Sequence, residues 1–157
     1  MDLIPEIKPL VGFCALEFSL LPEDAEKIFG VPDETQVLTD DILDAESYVM
    51  HYWENGFSLF FDNLDGRKFS SVEVDHEDTL LFGVKIFGMN EKAITALMNE
   101  NGYKLTDSET HDWGEKRLSF DNAGIDFYFE NNRLQSINFG VADEEADEPG
   151  GFQYFPN

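Results

Sequence analysis

The sequence predicts an α+β protein built from two tandem β-α-β-β-β repeats, each a helix packed on one face of a four-stranded antiparallel sheet, fused into one compact body. Three observations predict it. Gly56-Phe57-Ser58-Leu59-Phe60-Phe61-Asp62-Asn63 returns as Gly124-Ile125-Asp126-Phe127-Tyr128-Phe129-Glu130-Asn131, displaced by 124 − 56 = 68 residues. Both copies put apolar residues at every second position (Phe57, Leu59, Phe61; Ile125, Phe127, Phe129), the period of a half-buried strand. The segments before and after each copy echo one another at a nearly constant offset, so the order of elements repeats as well as the strand.

The first strand is expected over residues 13–18, with Leu16 and Phe18 on one face, and its echo carries Val84 and Ile86. Residues 21–30 read as a short helix: Pro22 and the acids Glu23 and Asp24 suit a helix start, and Gly30 suits an end. Its counterpart covers 89–101, with Ala93, Leu97 and Met98 inward and Gly102 at the end. The terminal glycines differ by 102 − 30 = 72 residues, so the second helix is expected to be longer by about one turn. The acidic stretch 33–46 matches no element.

Residues 47–53 form the next expected strand, Tyr48, Met50 and Tyr52 inward and Val49, His51 and Trp53 outward; Leu118 and Phe120 are inward in the echo. Glu54-Asn55-Gly56 and Asn122-Ala123-Gly124 make matching hairpin turns before the two recurring strands. The last strand of each half is 68–74 and 133–139. The boundaries are therefore 1–74 for the first repeat, 75–79 for a linker, 80–141 for the second repeat and 142–157 for an acidic tail carrying Phe152, Tyr154 and Phe155. Residues 1–10, with Pro5 and Pro9, read as an irregular lead-in.

One unit of this size is marginal alone, whereas 157 residues bury a proper core, and 15 Phe supply it. Ten basic against 33 acidic residues give 10 − 33 = −23, a charge that opposes nucleic acid and anionic lipid and favours encounter with a basic partner. The start shows no signal peptide, no stretch reaches the length of a membrane span, and the single Cys14 excludes an internal disulfide. A cytoplasmic setting follows from these.

No catalytic residue, cofactor-binding residue or metal ligand is assigned. No glycine-flanked serine elbow or glycine-rich phosphate loop occurs. Asp75-His76-Glu77-Asp78 offers four ligand types in a row, but consecutive side chains do not converge on one ion, so a solvated linker is preferred to a metal site. Asp62-Asn63-Leu64-Asp65-Gly66 lacks the distal Glu of a calcium loop and reads as a turn.

The feature the core does not explain is the sheet face opposite the helices. Trp53, Phe60, Phe69 and Glu73 from the first half, and Asp126, Tyr128 and Leu134 from the second, are expected there, mixing apolar anchors with acids as a protein-binding face does. The rival is burial of the same face within the chain or in a homodimer.

Two helix-on-sheet units in one chain, with aromatics across the open face, resemble the beta-lactamase inhibitor protein family. Ile28-Phe29-Gly30-Val31-Pro32, followed by a Tyr-rich strand and the Phe-rich one, is similar to small acidic bacterial proteins that include immunity proteins of toxin systems. The resemblance implies a non-enzymatic module that holds a basic partner such as a toxin effector. A homodimeric structural or regulatory protein, or a small-molecule binder in a cleft between the repeats, are the alternatives.

Overall fold

The computed structural model describes residues 4–40, 42, 45–62, 66–111 and 114–141. In chain order these form β1 (Glu6–Lys8), β2 (Gly12–Phe13), β3 (Leu16–Glu17), α1 (Pro22–Phe29), β4 (Glu34–Asp40), β5 (Ala45–Tyr52) and a 3-10 turn (Trp53–Asn55). Next come β6 (Phe57–Asp62), β7 (Lys68–Val74), β8 (Leu80–Leu81), β9 (Val84–Lys85), α2 (Glu91–Glu100), β10 (Asp107–Thr110), β11 (Glu115–Phe120), β12 (Ile125–Glu130) and β13 (Arg133–Gly140).

This corrects the expected architecture. The molecule is mostly β, 48% strand against 16% helix, and it is not a pair of helix-on-four-strand units. Eight strands form one sheet in the order β10-β11-β12-β13-β7-β6-β5-β4, in which β13 and β7 pair from Ile137↔Val74 to Gly140↔Ser71. A second sheet, in the order β3-β2-β1-β8-β9, takes the segments expected to be the first strand of each half. Its middle is β1, from the supposed lead-in, which runs parallel to β8 through Glu6↔Leu80 and Ile7↔Leu81. The strands β4 and β10 carry no apolar face to betray them: β10 is exposed at all four positions, and the described side chains of β4 are exposed too. An edge strand is held by its backbone ladder and needs no hydrophobic period.

The helices are short and belong to the core side. In α1 the Asp24 carboxylate accepts from the Leu21 N–H at 2.9 Å, and only Ala25 is buried. In α2 the Asn90 side chain accepts from the Ala93 N–H at 2.9 Å; Ile94 and Met98 are buried, and Leu97 packs half-buried against the core. With the small sheet these helices cover the inner face of the large one. Phe13 of β2 meets Phe57 of β6 at 4.8 Å between ring centres and Phe139 of β13 at 6.0 Å. Phe18 meets Phe69 at 4.9 Å and Phe139 at 6.2 Å. The small sheet thus ties the two halves of the large one together with aromatic contacts, beyond the area the rings bury.

Alternation is strict along β6 and β12, where Phe57, Leu59 and Phe61, and Ile125, Phe127 and Phe129, are buried. The partner strands break it. In the β6·β7 ladder Phe60 faces Ser71 but Phe61 faces Phe69, so Ser70 is an extra residue; in β12·β13 Tyr128 faces Ser136 and Phe129 faces Leu134, leaving Gln135 extra. Each bulge shifts the residues on one side of it to the other face. At the first one, the Phe69 N–H donates to Leu20 O at 2.8 Å and Phe69 O accepts from the Ser19 N–H at 2.9 Å. The Ser70 hydroxyl meets Phe60 O at 3.3 Å.

The segment expected to be the 75–79 linker is an ordered turn. The His76 carbonyl accepts from the Thr79 hydroxyl at 2.6 Å, and His76 Nδ1 accepts from the Asp78 N–H at 3.0 Å. The tail 142–157 and the 63–65 part of the supposed turn lie outside the described residues.

Candidate functional site: the outer face of the large sheet

The register sets one residue from every strand side by side across this face: Asp107, Ser119, Asp126, Asn138, Glu73, Ser58, His51 and Glu34. All are polar and four are carboxylates. At about 4.8 Å between strands the row spans about 34 Å.

Two depressions lie along it and share Glu73. One, of about 300 Å³, is lined by His51, Trp53, Gly56, Phe57, Ser58, Glu73 and Asp75. The other, of about 250 Å³, is lined by Glu73, Tyr128, Ser136 and Asn138.

Local backbone builds the first depression. The chain leaves β5 through the 3-10 turn, which Gly56 closes in the left-handed region at φ 74°, its N–H donating to Trp53 O at 3.1 Å. Gly56 O accepts from the Asp75 N–H at 2.9 Å, and a Cβ at Gly56 would lie 2.9 Å from His76 Cβ and 3.1 Å from Asp75 Oδ1. Glycine is therefore needed both for the turn and for the approach of Asp75. Trp53 stays 57% exposed and stacks on His51 at 4.9 Å and 22°. His51 Nε2 lies 3.1 Å from Gln36 Oε1 and Nδ1 lies 2.7 Å from Ser58 Oγ. The Ser58 hydroxyl donates to or accepts from Nδ1 according to the tautomer, and the Gln36 carboxamide engages Nε2. Both ring nitrogens are occupied, and the direct cross-strand pairing of His51 with Ser58 accounts for the contact without any catalytic role.

In the second half the centre is a cation. Arg117 donates to Asp107 Oδ2 at 3.0 Å, to Glu109 Oε2 at 3.2 Å and to the Ser119 hydroxyl. Its hydrogen bonds to Asp107 and then Glu109 push its pKa up. The Tyr128 phenol is also pushed up, first by burial and then by the charge of Asp126, with Arg117 pulling the other way.

The expected site residues divide. Trp53, Phe60, Glu73, Asp126 and Tyr128 lie on or beside the outer face, and Trp53, Glu73 and Tyr128 line the depressions. Phe60 lies outside both depressions, between Val49 and Ser71 on the neighbouring strands. Phe69 and Leu134 do not belong there: they are 0% and 5% exposed and part of the core, because the bulges at Ser70 and Gln135 turn them inward. Asp75, read as linker, lines the first depression, and the Arg117 cluster was missed because its carboxylates come from the unrecognised edge strand β10. The alternation Asp107-x-Glu109 against Arg117-x-Ser119 was the available signal.

Among the described residues no three His, Cys, Asp or Glu side chains are grouped to hold a metal ion. No helix is long and apolar enough to cross a membrane among them. No family model and no curated protein matches the chain. Among solved structures, an extracellular protein containing a SCP domain from Bacillus anthracis str. Ames is similar at TM-score 0.47 and 12% identity, over 78% of this chain. The chain spans 43% of that protein's length.

Proposed function

We infer that the chain is a non-enzymatic cytoplasmic binding protein that holds a basic protein on the outer face of its large sheet, as an immunity protein holds a toxin effector. The observation that carries this reading is the row of carboxylates crossing that face, with Glu73 shared between two depressions and the exposed Trp53 indole at the edge of one. An overall charge of −23 steers a basic partner towards the face from a distance, and the aromatic edge gives it a surface to desolvate. Face-to-face self-association is disfavoured, because it would set these carboxylates against one another.

Capture from an extract of the source cells tests the reading. Wild type and a control with E23K and E26K on α1 should retain the same basic protein, more weakly as salt rises, while E73K with D126K should lose it. Equal capture by the outer-face variant, or capture lost in the control alone, would move the interface off this face.

A further inference from the structure

Resting on that binding reading, we propose that the depression between Trp53, Glu73 and Asp75 is a seat for one arginine side chain of the basic partner. Three features converge on a guanidinium. Glu73 near the end of β7 and Asp75 just beyond it both line the depression, on backbone positions about 7 Å apart. No ion pair among the described residues involves either of them. The wall beside them is the Trp53 indole, braced by its stack on His51 and otherwise more than half open. A planar cation can lie against an indole while its edges donate to carboxylates, which an ammonium does less well.

The molecule contains a precedent for this chemistry. On the other half of the same face a guanidinium, Arg117, already bridges two carboxylates, Asp107 and Glu109. The place corresponding to Arg117 in the first half is Val49, which pairs with Phe60 as Arg117 pairs with Tyr128. Val49 is fully buried and carries no charge. The precedent is one of chemistry and not of position: Asp107 and Glu109 correspond to Glu34 and Gln36 of β4, whereas Glu73 and Asp75 correspond to Asn138 and Gly140 of β13. A metal ion is a poorer occupant, since two carboxylates are too few ligands and both His51 nitrogens are engaged.

The test titrates the full chain with Nα-acetyl-arginine amide and, separately, Nα-acetyl-lysine amide in about 150 mM salt, following amide and indole resonances. Arginine should shift residues 51–58 and 73–75 and the Trp53 indole N–H saturably, with at least a fivefold preference over lysine. E73Q with D75N should weaken arginine about tenfold, and W53A should abolish the preference while E23Q on α1 changes neither. Equal response to both amides, or shifts scattered over the acidic surface, would overturn the seat. If the seat fails while E73K with D126K still loses the captured protein, the binding face stands without it; if capture is unaffected too, both fall.

Discussion

The two halves of the large sheet share a backbone plan and differ in what stands on it. Both have a hairpin closed by a left-handed glycine, Gly56 or Gly124, then an alternating strand, then a bulge one residue after Phe60 or Tyr128. On the inner face the side chains at matching places are alike, because both halves bury them in one core. On the outer face they diverge: Val49 against Arg117, Gln36 against Glu109, Ser58 against Asp126, Glu73 against Asn138. The shared core constrains size and polarity more than the outer face does, so the charge differences between halves gather on the outer side.

The largest expected effects separate the two faces. Phe69→Ala should destabilise by about 3–5 kcal/mol, since it empties a buried aromatic site packed on Phe18 and Phe61. Phe60→Ala, on the outer face, should cost about 1 kcal/mol. Chemical denaturation measures both, and equal losses would mean the bulge does not divide the faces as described.

The two hairpin glycines should differ next. Gly124→Ala would place a Cβ 2.4 Å from Gly140 O, a backbone atom of the central strand, on top of the roughly 1–2 kcal/mol of left-handed strain. At Gly56 the nearest atom is His76 Cβ at 2.9 Å, in a surface turn that has more room to shift. Thermal unfolding should therefore fall further for Gly124→Ala than for Gly56→Ala; the reverse order would place the rigid point of the sheet in the first half.

Alkaline pH should erode stability through tyrosines in both halves. Burial raises the folded-state pKa of Tyr52, whose hydroxyl donates to Gly30 O at 2.8 Å, and of Tyr128. The folded protein then holds protons that the unfolded chain releases near pH 10, so stability is full below that pH and declines as pH rises above it. Absorbance titration should show delayed ionisation of these two phenols, with Tyr128→Phe and Tyr52→Phe each removing part of the delay. No loss of delayed ionisation in either variant would contradict the burial of both phenols.

Arg117→Ala should have the smallest effect, about 1 kcal/mol or less, because the pair partners are largely exposed. Its signature is local: Asp107 and Glu109 lose the cation between them, and hydrogen exchange should quicken over 107–110 while the first half is unchanged. No such response in β10 would leave the cation without a structural part in the second half.

The alternating strands were readable because both sit deep in the sheet, with one face in the core, and their period survives intact. Phe69 and Leu134 were misplaced because an unbroken period of two sets them outward with Ser71 and Ser136; the one trace of each bulge was a polar residue, Ser70 or Gln135, at what that period makes an inward position. The edge strands β4 and β10 were invisible for a different reason, since neither face is buried. As a result Trp53, Glu73 and Tyr128 were placed on the outer side from alternation alone, while Asp75 and the Arg117 cluster were not.

Local pattern alone determined the inner-facing residues of β6 and β12, the two helix sites and the strongly acidic character, since each depends on neighbours close along the chain. Only the folded structure decided that eight strands join in a single sheet and that residues near 7, 13 and 81 form a separate one. It also decided that Glu73 and Asp75 stand beside Trp53. These depend on pairings between distant segments, chosen by how well aromatic rings such as Phe13, Phe18 and Phe139 pack together, and such packing has no period that a linear reading detects.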